Sequence, residues 1–294
     1  MYARINETEI FFDTEGSSLR KVNGGLYEVP TIVVVHGILG LDHRYLREGL
    51  GQLSEVAQVL FVDLRGQGRS AHAPVETVTY EQMADDIAAL IGALGIRKPY
   101  VFGHSLGGLV ALHLVLRHHG LARGAILAAA TPTAAPMQNE VTRTAPSLTT
   151  RASPAAMEAA AKLFAGELNT ASIAAYFEKV GPLLAAPMNA GLAERLIKGI
   201  TPNIELMRHL LMHLPSDFDI SSRLNQVNVP VLLLAGAHDW VNPPRTSLAM
   251  AKMIPRNRYV EFENSGHLLF SEEPANFRSV VEDFLASDAA PGWY

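Results

Sequence analysis

Cysteine is absent from the 294-residue sequence. A chain without thiols can form no disulfide, no thiolate nucleophile and no cysteine-based zinc site. The absence suits a reducing compartment, although it does not by itself establish one.

Charge and long apolar runs are also scarce. Charged residues make up 18% and hydrophobic residues 48%, a globular balance that excludes extensive disorder. The formal net charge of -5 leaves no basic face for nucleic acid or an anionic membrane. No apolar run approaches the ~20 residues that a membrane span requires, and the first ten residues, MYARINETEI, lack the order of a secretory signal. We expect a soluble, cytoplasmic protein with no membrane span and no nucleic-acid partner.

Short apolar runs of strand type alternate with helical patterns along the chain. One helical segment, residues 80–94, carries an apolar stripe from Met83 to Leu94, as in a helix that lies on a sheet. Buried strands that alternate with such helices predict an α/β fold with a mostly parallel sheet covered on both faces. A candidate edge hairpin over residues 5–12, closing near residues 15–16, comes first. The expected core strands are 31–36, 59–63, 100–102, 125–128, 229–235 and 259–263.

The stretch from residue 133 to residue 215 breaks this alternation. It contains no strand-like run, only alanine-rich, helix-forming segments separated by prolines. We expect a helical cap here, inserted between two core strands, with the core formed by residues 1–132 and 216–294. The expected cap helices are 154–168, 172–180, 190–200 and 203–214.

The segment GHSLG, residues 103–107, lies between a strand-like run and a helical pattern. A G-x-S-x-G turn in this context holds its serine in a strained backbone conformation, with the hydroxyl raised above the sheet edge. Gly103 and Gly107 are required because a Cβ at either position would collide in so sharp a turn. The helix that begins at Leu106 directs free N–H groups and its positive dipole end toward Ser105, which favours an anion there. Ser105 is therefore the candidate nucleophile.

Two later loops supply the partners that a serine nucleophile needs. The hydroxyl requires a base and the base an orienting acid, and in this class of sheet both follow the serine, each after a later strand. Asp239 follows the run VPVLLLAG, and His267 follows the last strand-like run. The order Ser105, Asp239, His267 predicts a catalytic triad. The loop one strand earlier, AAATPTAAP, contains no acid that could take the place of Asp239.

The oxyanion that develops during acyl transfer needs donors, usually two backbone N–H groups. Leu106, directly after the candidate nucleophile, is expected to supply the first. The segment HGILG, residues 36–40, follows a strand and offers the second at Ile38, since its glycines allow the loop to aim an amide inward. A loop that merely turns the chain is the alternative interpretation of this segment.

These motifs together resemble a known family. HGILG, DLRGQGRS, GHSLGG, GAHDWVNP and NSGHLLFSEEP match motifs of the α/β-hydrolase fold in the expected order, over nearly the whole chain. The chain is identified as a capped α/β-hydrolase, most similar in its first third to proline-iminopeptidase-like members. It departs from them at residues 37–40, where GILG replaces their usual Gly-Gly-Pro-Gly, and at Leu106, where they often carry tryptophan. Both departures concern aminopeptidase specificity and leave the triad in place.

Several other patterns receive structural interpretations. The segment GQGRSA, residues 66–71, fits a dinucleotide fingerprint, but a loop rather than a helix follows it, so we expect no cofactor. Asp63 and Arg65 are expected to pair and hold that loop. Adjacent imidazoles at His118 and His119 point about 100° apart on a helix, so no metal site is expected.

Four further polar residues are interpreted in the same way. His36 and His104 lie close to the candidate nucleophile by motif position, and each is expected to act as a structural or supporting group rather than as the base. Asp217 and Asp219 precede a core strand and are expected to cap a turn or a helix start.

The sequence thus predicts a serine hydrolase that works through an acyl-enzyme and needs neither a metal nor an organic cofactor. Because the expected cap is rich in alanine, leucine and methionine, the expected substrate is a small or medium hydrophobic carboxylic ester, thioester or lactone.

Three alternatives stay open. A proline-iminopeptidase-like aminopeptidase or amide hydrolase would need acidic cap residues to bind a free amine. A ligand-binding receptor with negligible turnover is the second, and a carbon–carbon bond hydrolase or a lyase is the third, since fold does not determine function. The cap glutamates available to an aminopeptidase are Glu140, Glu158, Glu167, Glu178, Glu194 and Glu205.

Overall fold

The computed structural model describes residues 1–22, 24–37, 40–133, 147–200, 202–212 and 219–289. Its strands form one large sheet and a separate two-stranded hairpin. The strands within these ranges are β1 (Tyr2–Ile5), β2 (Thr8–Glu15), β3 (Leu19–Val22), β4 (Gly25–Glu28), β5 (Thr31–Val35), β6 (Gln58–Val62), β7 (Tyr100–His104), β8 (Gly124–Ala128), β9 (Val231–Gly236) and β10 (Asn257–Phe262).

The large sheet has the strand order β1-β2-β6-β5-β7-β8-β9-β10. All pairings from β6 to β10 are parallel, whereas β1 and β2 add an antiparallel edge. Parallel neighbours require crossover connections, and helices supply them on both faces of the sheet. The prediction of an α/β fold with a mostly parallel sheet is confirmed.

Helices connect most of the parallel strands. No helix in the described ranges is both long and apolar enough to cross a membrane. The helices in these ranges are α1 (Arg44–Leu50), α2 (Tyr80–Ala93), α3 (Leu106–Arg117), α4 (Leu148–Arg151), α5 (Pro154–Phe164), α6 (Thr170–Lys179), α7 (Ala190–Ile197), α8 (Ile204–Met212), α9 (Pro244–Met253), α10 (Leu269–Glu272) and α11 (Pro274–Ala289).

The two faces of the sheet bury alternate side chains of the same strands. In β5, Val33 and Val35 join an apolar cluster with residues of α2 and α3. Ile32 and Val34 belong to the cluster on the opposite face, with residues of α1 and α11. This two-residue alternation is that of a strand covered on both sides. Burial of each such side chain contributes roughly 1.5–3 kcal/mol to stability.

Helices α4 to α8 lie between β8 and β9 in the chain and form a helical insert. The insert has an apolar cluster of its own, in which alanines of α5 pack with Ile173 and Tyr176 of α6. Helices thus occupy the region where a cap was expected. The cap's bounds at residues 133 and 215 stay a prediction, because residue 215 lies outside the described residues.

The expected elements agree with the structure in type and differ at their ends. All six core strands occur, as β5 to β10, within two residues of the expected bounds. Helices α5 and α7 end earlier than expected, because Gly166 and Gly199 adopt φ angles of 85° and 80° just beyond them. Leu94 follows the end of α2 and is 37% exposed, so it does not belong to the buried stripe. The expected end of the last insert helix, at residue 214, lies outside the described residues.

The first hairpin closes at a different place from the one expected. Its turn is at Asn6 and Glu7, whose φ angles are 43° and 61°, and not near residues 15–16. Two consecutive left-handed residues form the tight turn that suits the twist of a hairpin, and asparagine tolerates this conformation. The small hairpin of β3 and β4 and the helices α1 and α9 were not predicted.

Candidate active site

Ser105 lies at the junction of β7 and α3 with φ 55° and ψ -127°. A non-glycine residue with positive φ is strained, and here the surrounding backbone holds it in place. The Ser105 N–H donates to the Ala128 carbonyl at 3.0 Å, and the Gly108 N–H donates to the Ser105 carbonyl at 2.9 Å. The serine therefore has the exposed-turn geometry that the G-x-S-x-G segment predicts.

The glycines of the turn are required by close approach of backbone to backbone. A Cβ at Gly103 would lie 2.6 Å from the Gly107 carbonyl oxygen. A Cβ at Gly107 would lie 2.3 Å from the carbonyl oxygen of His36, at the end of β5. Both distances are far shorter than a van der Waals contact, so the turn can form only with glycine at these positions.

Asp239 and His267 are brought together at the ends of β9 and β10. The His267 Nδ1–H donates to Asp239 Oδ2 at 2.8 Å, and the Asp239 side chain is fully buried. Asp239 Oδ1 accepts the N–H groups of Val241 and Asn242 at 2.8 and 3.0 Å. Because the carboxylate accepts the Nδ1 proton, Nε2 of the neutral ring is left as the acceptor.

His267 lies beside the residue that precedes the candidate nucleophile. The rings of His104 and His267 have centroids 4.7 Å apart. Among the described residues, no hydrogen bond joins the Ser105 hydroxyl to the His267 ring. Catalytic hydrogen bonds are commonly long in a free enzyme and shorten when substrate binds. The catalytic roles of Ser105, Asp239 and His267 stay predictions.

A chain of hydrogen bonds connects the loop after β5 to the candidate base. The Gly37 N–H donates to the Tyr45 hydroxyl oxygen at 2.7 Å, Tyr45 bonds His104 Nδ1 at 2.7 Å, and His104 Nε2 bonds the His267 carbonyl at 2.9 Å. The carbonyl can only accept, so Nε2 carries the proton and the Tyr45 O–H donates to Nδ1. Burial lowers the pKa of His104 well below its ordinary value, which keeps the ring neutral. His104 thus supports His267 through the main chain, in agreement with the supporting role expected for it.

His36 holds the same loop from its other side. The Leu64 N–H donates to His36 Nε2 at 3.1 Å, and His36 Nδ1 donates to the Gly37 carbonyl at 2.7 Å. Burial lowers the pKa of His36, so this ring is also neutral. Both polar groups of Gly37 are therefore bonded to buried side chains.

Of the two expected oxyanion donors, the structure describes Leu106 and not Ile38. Leu106 is the first residue of α3, where backbone N–H groups lack partners within the helix. Ile38 lies outside the described residues. Its neighbour Gly37 approaches the nucleophile closely, since a Cβ there would lie 3.6 Å from the Ser105 Cβ.

The expected pair of Asp63 and Arg65 does not form. Arg65 instead makes a bidentate bond to Asp86 of α2, with both distances 2.7 Å. Asp63 accepts His43 Nδ1 at 2.6 Å and the Arg69 N–H at 2.9 Å. Burial alone would raise the pKa of Asp63, but the hydrogen bond from His43 and the nearby charges hold it below its ordinary value. The prediction was wrong because each side chain finds a partner on a different element.

The remaining polar candidates have local partners. His118 bonds Asp85 at 2.7 Å, and the described residues contain no cluster of three side chains suited to a metal ion. Asp219 accepts the N–H of Ser221 at 2.7 Å and so caps the following 3₁₀ turn, as expected. Asp217 lies outside the described residues.

Two supporting residues near the site were missed by sequence reasoning. Tyr45 gives no signal in sequence, because a buried tyrosine in a short helix resembles ordinary core. Glu272 is part of the segment NSGHLLFSEEP, so the histidine motif itself could have pointed to it.

The chain is similar in sequence or in fold to known proteins. The putative carbamate hydrolase RutD of Pseudomonas syringae pv. syringae (strain B728a) is 28% identical over 260 residues, 88% of this chain and 95% of that protein. A thermophilic esterase from Thermogutta terrifontis has a TM-score of 0.72 at 24% identity, covering 96% of this chain and 95% of the other. A proline iminopeptidase of Mycobacterium smegmatis has a TM-score of 0.73 at 20% identity and 98% coverage of both chains. At these identities, the two structures show a shared fold and no more.

The family assignment follows from a match along most of the sequence. The family model described as alpha/beta hydrolase fold matches residues 30–274, which include the ends of β7, β9 and β10 where the three predicted catalytic residues lie. A proline iminopeptidase among the similar structures agrees with the resemblance noted in the sequence. The chain is a hydrolase that belongs to the alpha/beta-hydrolase fold family.

Proposed function

We propose that the protein is a serine hydrolase that cleaves a small or medium hydrophobic carboxylic ester, thioester or lactone through an acyl-enzyme. Ser105 is the nucleophile, His267 the base and Asp239 the orienting acid. The observation that carries the proposal is the strained elbow at Ser105 beside a buried, hydrogen-bonded pair of Asp239 and His267.

In the first half of the reaction, Ser105 attacks the substrate carbonyl. The bond from Oγ to the carbonyl carbon forms as the hydroxyl proton moves to His267 Nε2, and Asp239 stabilises the resulting imidazolium. The N–H groups of Leu106 and Ile38 donate hydrogen bonds to the negatively charged oxygen. Each such donor contributes roughly 10²–10³ in rate.

In the second half, the tetrahedral species collapses and the acyl group is released. His267 gives its proton to the leaving alcohol or thiol as the carbon–heteroatom bond breaks, which leaves Ser105 acylated. Water then attacks the acyl carbon and passes a proton to His267. Collapse breaks the bond to Oγ, returns that proton to Ser105 and frees the carboxylic acid.

The apolar part of the substrate is accommodated by the helical insert, which acts as the cap in this proposal, with bounds at residues 133 and 215. A cavity of about 300 Å³ lies between the insert and Leu41, four residues after Gly37. No predicted catalytic residue lines it, so it suits a part of the substrate distant from the scissile bond. Its lining residues are Leu41, Thr170, Ile173, Ala174, Phe177, Ile197, Ile200, Pro202 and Ile204.

The test compares Ser105→Ala with wild type on a series of p-nitrophenyl acyl esters. We expect kcat/KM to fall roughly 10⁴–10⁶-fold, because the variant has no nucleophile. Ser153→Ala, at the start of α5 in the insert, is the matched control and should hydrolyse the esters at the wild-type rate. Ester hydrolysis that survives in Ser105→Ala at the wild-type level would remove the proposal.

Hydrolysis of a carbamate is a second candidate, supported by the similarity to a putative carbamate hydrolase over nearly the whole chain. A carbamate presents its carbonyl to the same nucleophile and donors. Wild-type protein should release ammonia from carbamate faster than Ser105→Ala does if this is the activity. Equal rates from the two proteins would exclude it and leave the ester proposal standing.

The aminopeptidase alternative has less support. Five of the insert's glutamates fall within the described residues, and all five are exposed, so none forms a buried site for a free amine. Glu140 lies outside the described residues. Release of naphthylamine from prolyl-β-naphthylamide by wild type, and not by Ser105→Ala, would favour this alternative.

Covalent labelling of the serine distinguishes the proposed hydrolase from a ligand-binding receptor. A fluorophosphonate probe labels a competent Ser105 stoichiometrically, and mass spectrometry locates the adduct. A protein that only binds its ligand, with a disabled site, would stay unlabelled.

A further inference from the structure

Four consecutive residues of the helical insert, Leu183–Ala186, contact the loops that carry Asp239 and His267. We refer to these four residues as the strap. The strap begins within the 3₁₀ turn Gly181–Leu184, between α6 and α7. Each of its residues forms a hydrogen bond with a residue of one of the two loops, or with a side chain that bonds such a loop.

The acid loop is held on both sides of Asp239. The indole Nε1–H of Trp240 donates to the Leu183 carbonyl at 2.7 Å. The Arg151 guanidinium donates to the Ala185 carbonyl at 2.8 Å and to the His238 carbonyl at 3.1 Å, so it bridges the strap and the residue before Asp239. Movement of the strap therefore displaces the residues that flank the acid.

The histidine loop is held more directly. The backbone N–H of His267 donates to the Leu184 carbonyl at 2.7 Å. At Gly266 the two segments approach so closely that a Cβ would lie 2.5 Å from the same Leu184 oxygen. The main chain at His267 thus packs against the strap without an intervening side chain.

Glu272 joins these contacts into one unit. Its Oε1 accepts the N–H groups of Gly266 and Leu268 at 2.9 and 3.1 Å, one on each side of His267. Its Oε2 accepts the Ala186 N–H at 2.7 Å, which belongs to the strap. The Asn189 amide also approaches Oε2, at 3.4 Å. One carboxylate therefore bonds both neighbours of the candidate base and the end of the strap.

We propose that Glu272 is a positioning residue for His267 and that, through it, the strap sets the geometry of the triad. The proposal rests on the proposed function, because His267 is the base only if that function holds. Oε1 accepts the N–H groups of the residues on either side of His267, and the His267 N–H is bonded to the strap, so the imidazole has little freedom to move relative to Asp239. A misplacement of about 1 Å at a reacting group can lower the rate ~10²-fold.

The first test is Glu272→Gln. The amide replaces one accepting oxygen with an N–H₂ donor, which must then face a backbone N–H either in the strap or in the histidine loop. We expect kcat for a p-nitrophenyl ester to fall roughly 10–100-fold, with KM within about threefold of wild type, because the substrate site is intact. The rate of fluorophosphonate labelling at Ser105 should fall in parallel with kcat.

Glu48→Gln is the matched control. Glu48 pairs with Arg195 of the insert, and the two side chains are 51% and 60% exposed, so this bond also joins insert and core but lies apart from the strap. An exposed ion pair contributes little. The control should keep the kcat and the labelling rate of wild type.

A second variant keeps the proposal testable if Glu272→Gln does not fold. Ala186→Pro replaces the strap N–H that Glu272 accepts with a ring carbon, so Oε2 loses this bond and must move away from the strap; the φ of -59° and ψ of 153° at this residue already suit proline. The preceding Ala185, with φ -88° and ψ 164°, tolerates a following proline. Its kcat should fall about tenfold, with KM again little changed.

The outcomes separate this proposal from the proposed function. Failure of the fluorophosphonate to label wild-type Ser105 would overturn the hydrolase itself. Normal labelling of wild type, together with wild-type kcat in a folded Glu272→Gln, or in Ala186→Pro if the first variant does not fold, would overturn the positioning role alone. A parallel rise in KM of the same size as the loss in kcat would also overturn it, since a positioning residue for the base leaves substrate binding in place.

Discussion

The sheet core and the helical insert are held together in different ways. In the core, strands β5 to β9 are buried on both faces, and two large apolar clusters enclose them. The insert has a small cluster of its own, built largely from alanines, and exposes its glutamates to solvent. Its helices α7 and α8 contribute apolar side chains to the two core clusters, and polar contacts join it to the core at the strap and at Asn203, whose N–H and side-chain amide donate to the carbonyls of Gly40 and Gly66, both at 3.0 Å.

Because of this difference, the core and the insert contribute in different ways to the candidate active site. The core holds Ser105, the candidate nucleophile, by backbone packing, because Gly103 and Gly107 of its turn lie against neighbouring main-chain atoms. The insert contacts the loops of Asp239 and His267 through hydrogen bonds from the strap and through close main-chain packing at Gly266. Changes at the packed turn should therefore first affect folding, and changes in the strap should first affect turnover.

The largest effect is expected from Gly107→Ala. The new Cβ would lie 2.3 Å from the His36 carbonyl oxygen and 2.6 Å from that of Val35, and neither backbone atom can move without shifting β5. We expect the free energy of unfolding in urea to fall by roughly 3 kcal/mol or more.

Gly191→Ala in α7 is the matched change in the insert. Nothing lies within 4 Å of the added Cβ, so the better helix propensity of alanine should raise stability by about 0.5–1 kcal/mol. Equal losses of stability in Gly107→Ala and Gly191→Ala would contradict the distinction between a tightly packed core and a more open insert.

The next largest effect is expected from low pH, which should lower the stability of the core. Burial lowers the pKa of His113 to about 4, and it also lowers the pKa of His36 and of His104. Unfolded histidine has a pKa near ~6.5. Below that pH the unfolded chain binds protons that the folded chain does not, so stability is full at neutral pH and declines as the pH falls from about 6.5 toward 4.

Urea titrations at pH 7.5 and pH 5.0 measure this effect. The free energy of unfolding should be lower at pH 5.0 by roughly 2 kcal/mol or more, since pH 5.0 lies about 1.5 units below the ordinary histidine pKa and each unit costs about 1.36 kcal/mol for a histidine that stays neutral in the fold. His113→Gln should show a smaller decrease, whereas replacement of the exposed His72 by glutamine should leave the decrease unchanged. A decrease in His113→Gln as large as that of wild type would assign the acid sensitivity to other groups.

The smallest effect is expected from Tyr45→Phe, which tests the core's own part in turnover. The change removes the hydroxyl that bonds Gly37 and His104 and leaves the ring in place. We expect kcat to fall about tenfold and the free energy of unfolding to fall by roughly 1–2 kcal/mol, because the change removes two hydrogen bonds of the buried hydroxyl. Tyr27→Phe on the exposed hairpin is the control and should behave as wild type. A normal kcat in Tyr45→Phe would leave all positioning of the base to the insert.

The core could be predicted from sequence because its signals are local. Continuous runs such as TIVVV appear only where a strand is buried on both faces, and the turn at residues 103–107 is encoded in five consecutive residues. The order of Ser105, Asp239 and His267 follows from the same local signals at three strand ends. The ends of the insert helices were less clear, because helix-compatible residues such as Glu167, Leu168 and Ile200 directly follow the glycines that terminate them.

The supporting contacts could not be predicted, since they join residues far apart in the chain. Trp240 bonds a carbonyl 57 residues away, and Ala186 bonds a carboxylate 86 residues away. Most acceptors in these contacts are main-chain atoms, which every residue type has. The opposite error was made for Asp63 and Arg65. They are close in sequence and were expected to pair, but in the fold each bonds a different partner.

The close contact of Gly107 with the end of β5 has a mechanical consequence. At Gly107, the strand that leads into Gly37 and the helix that follows Ser105 meet through main-chain atoms, with no side chain between them at this point. A displacement of the strand is therefore expected to displace the helix by a similar amount. In the proposed mechanism, this contact would hold the Ser105 oxygen in a constant position relative to the loop after β5.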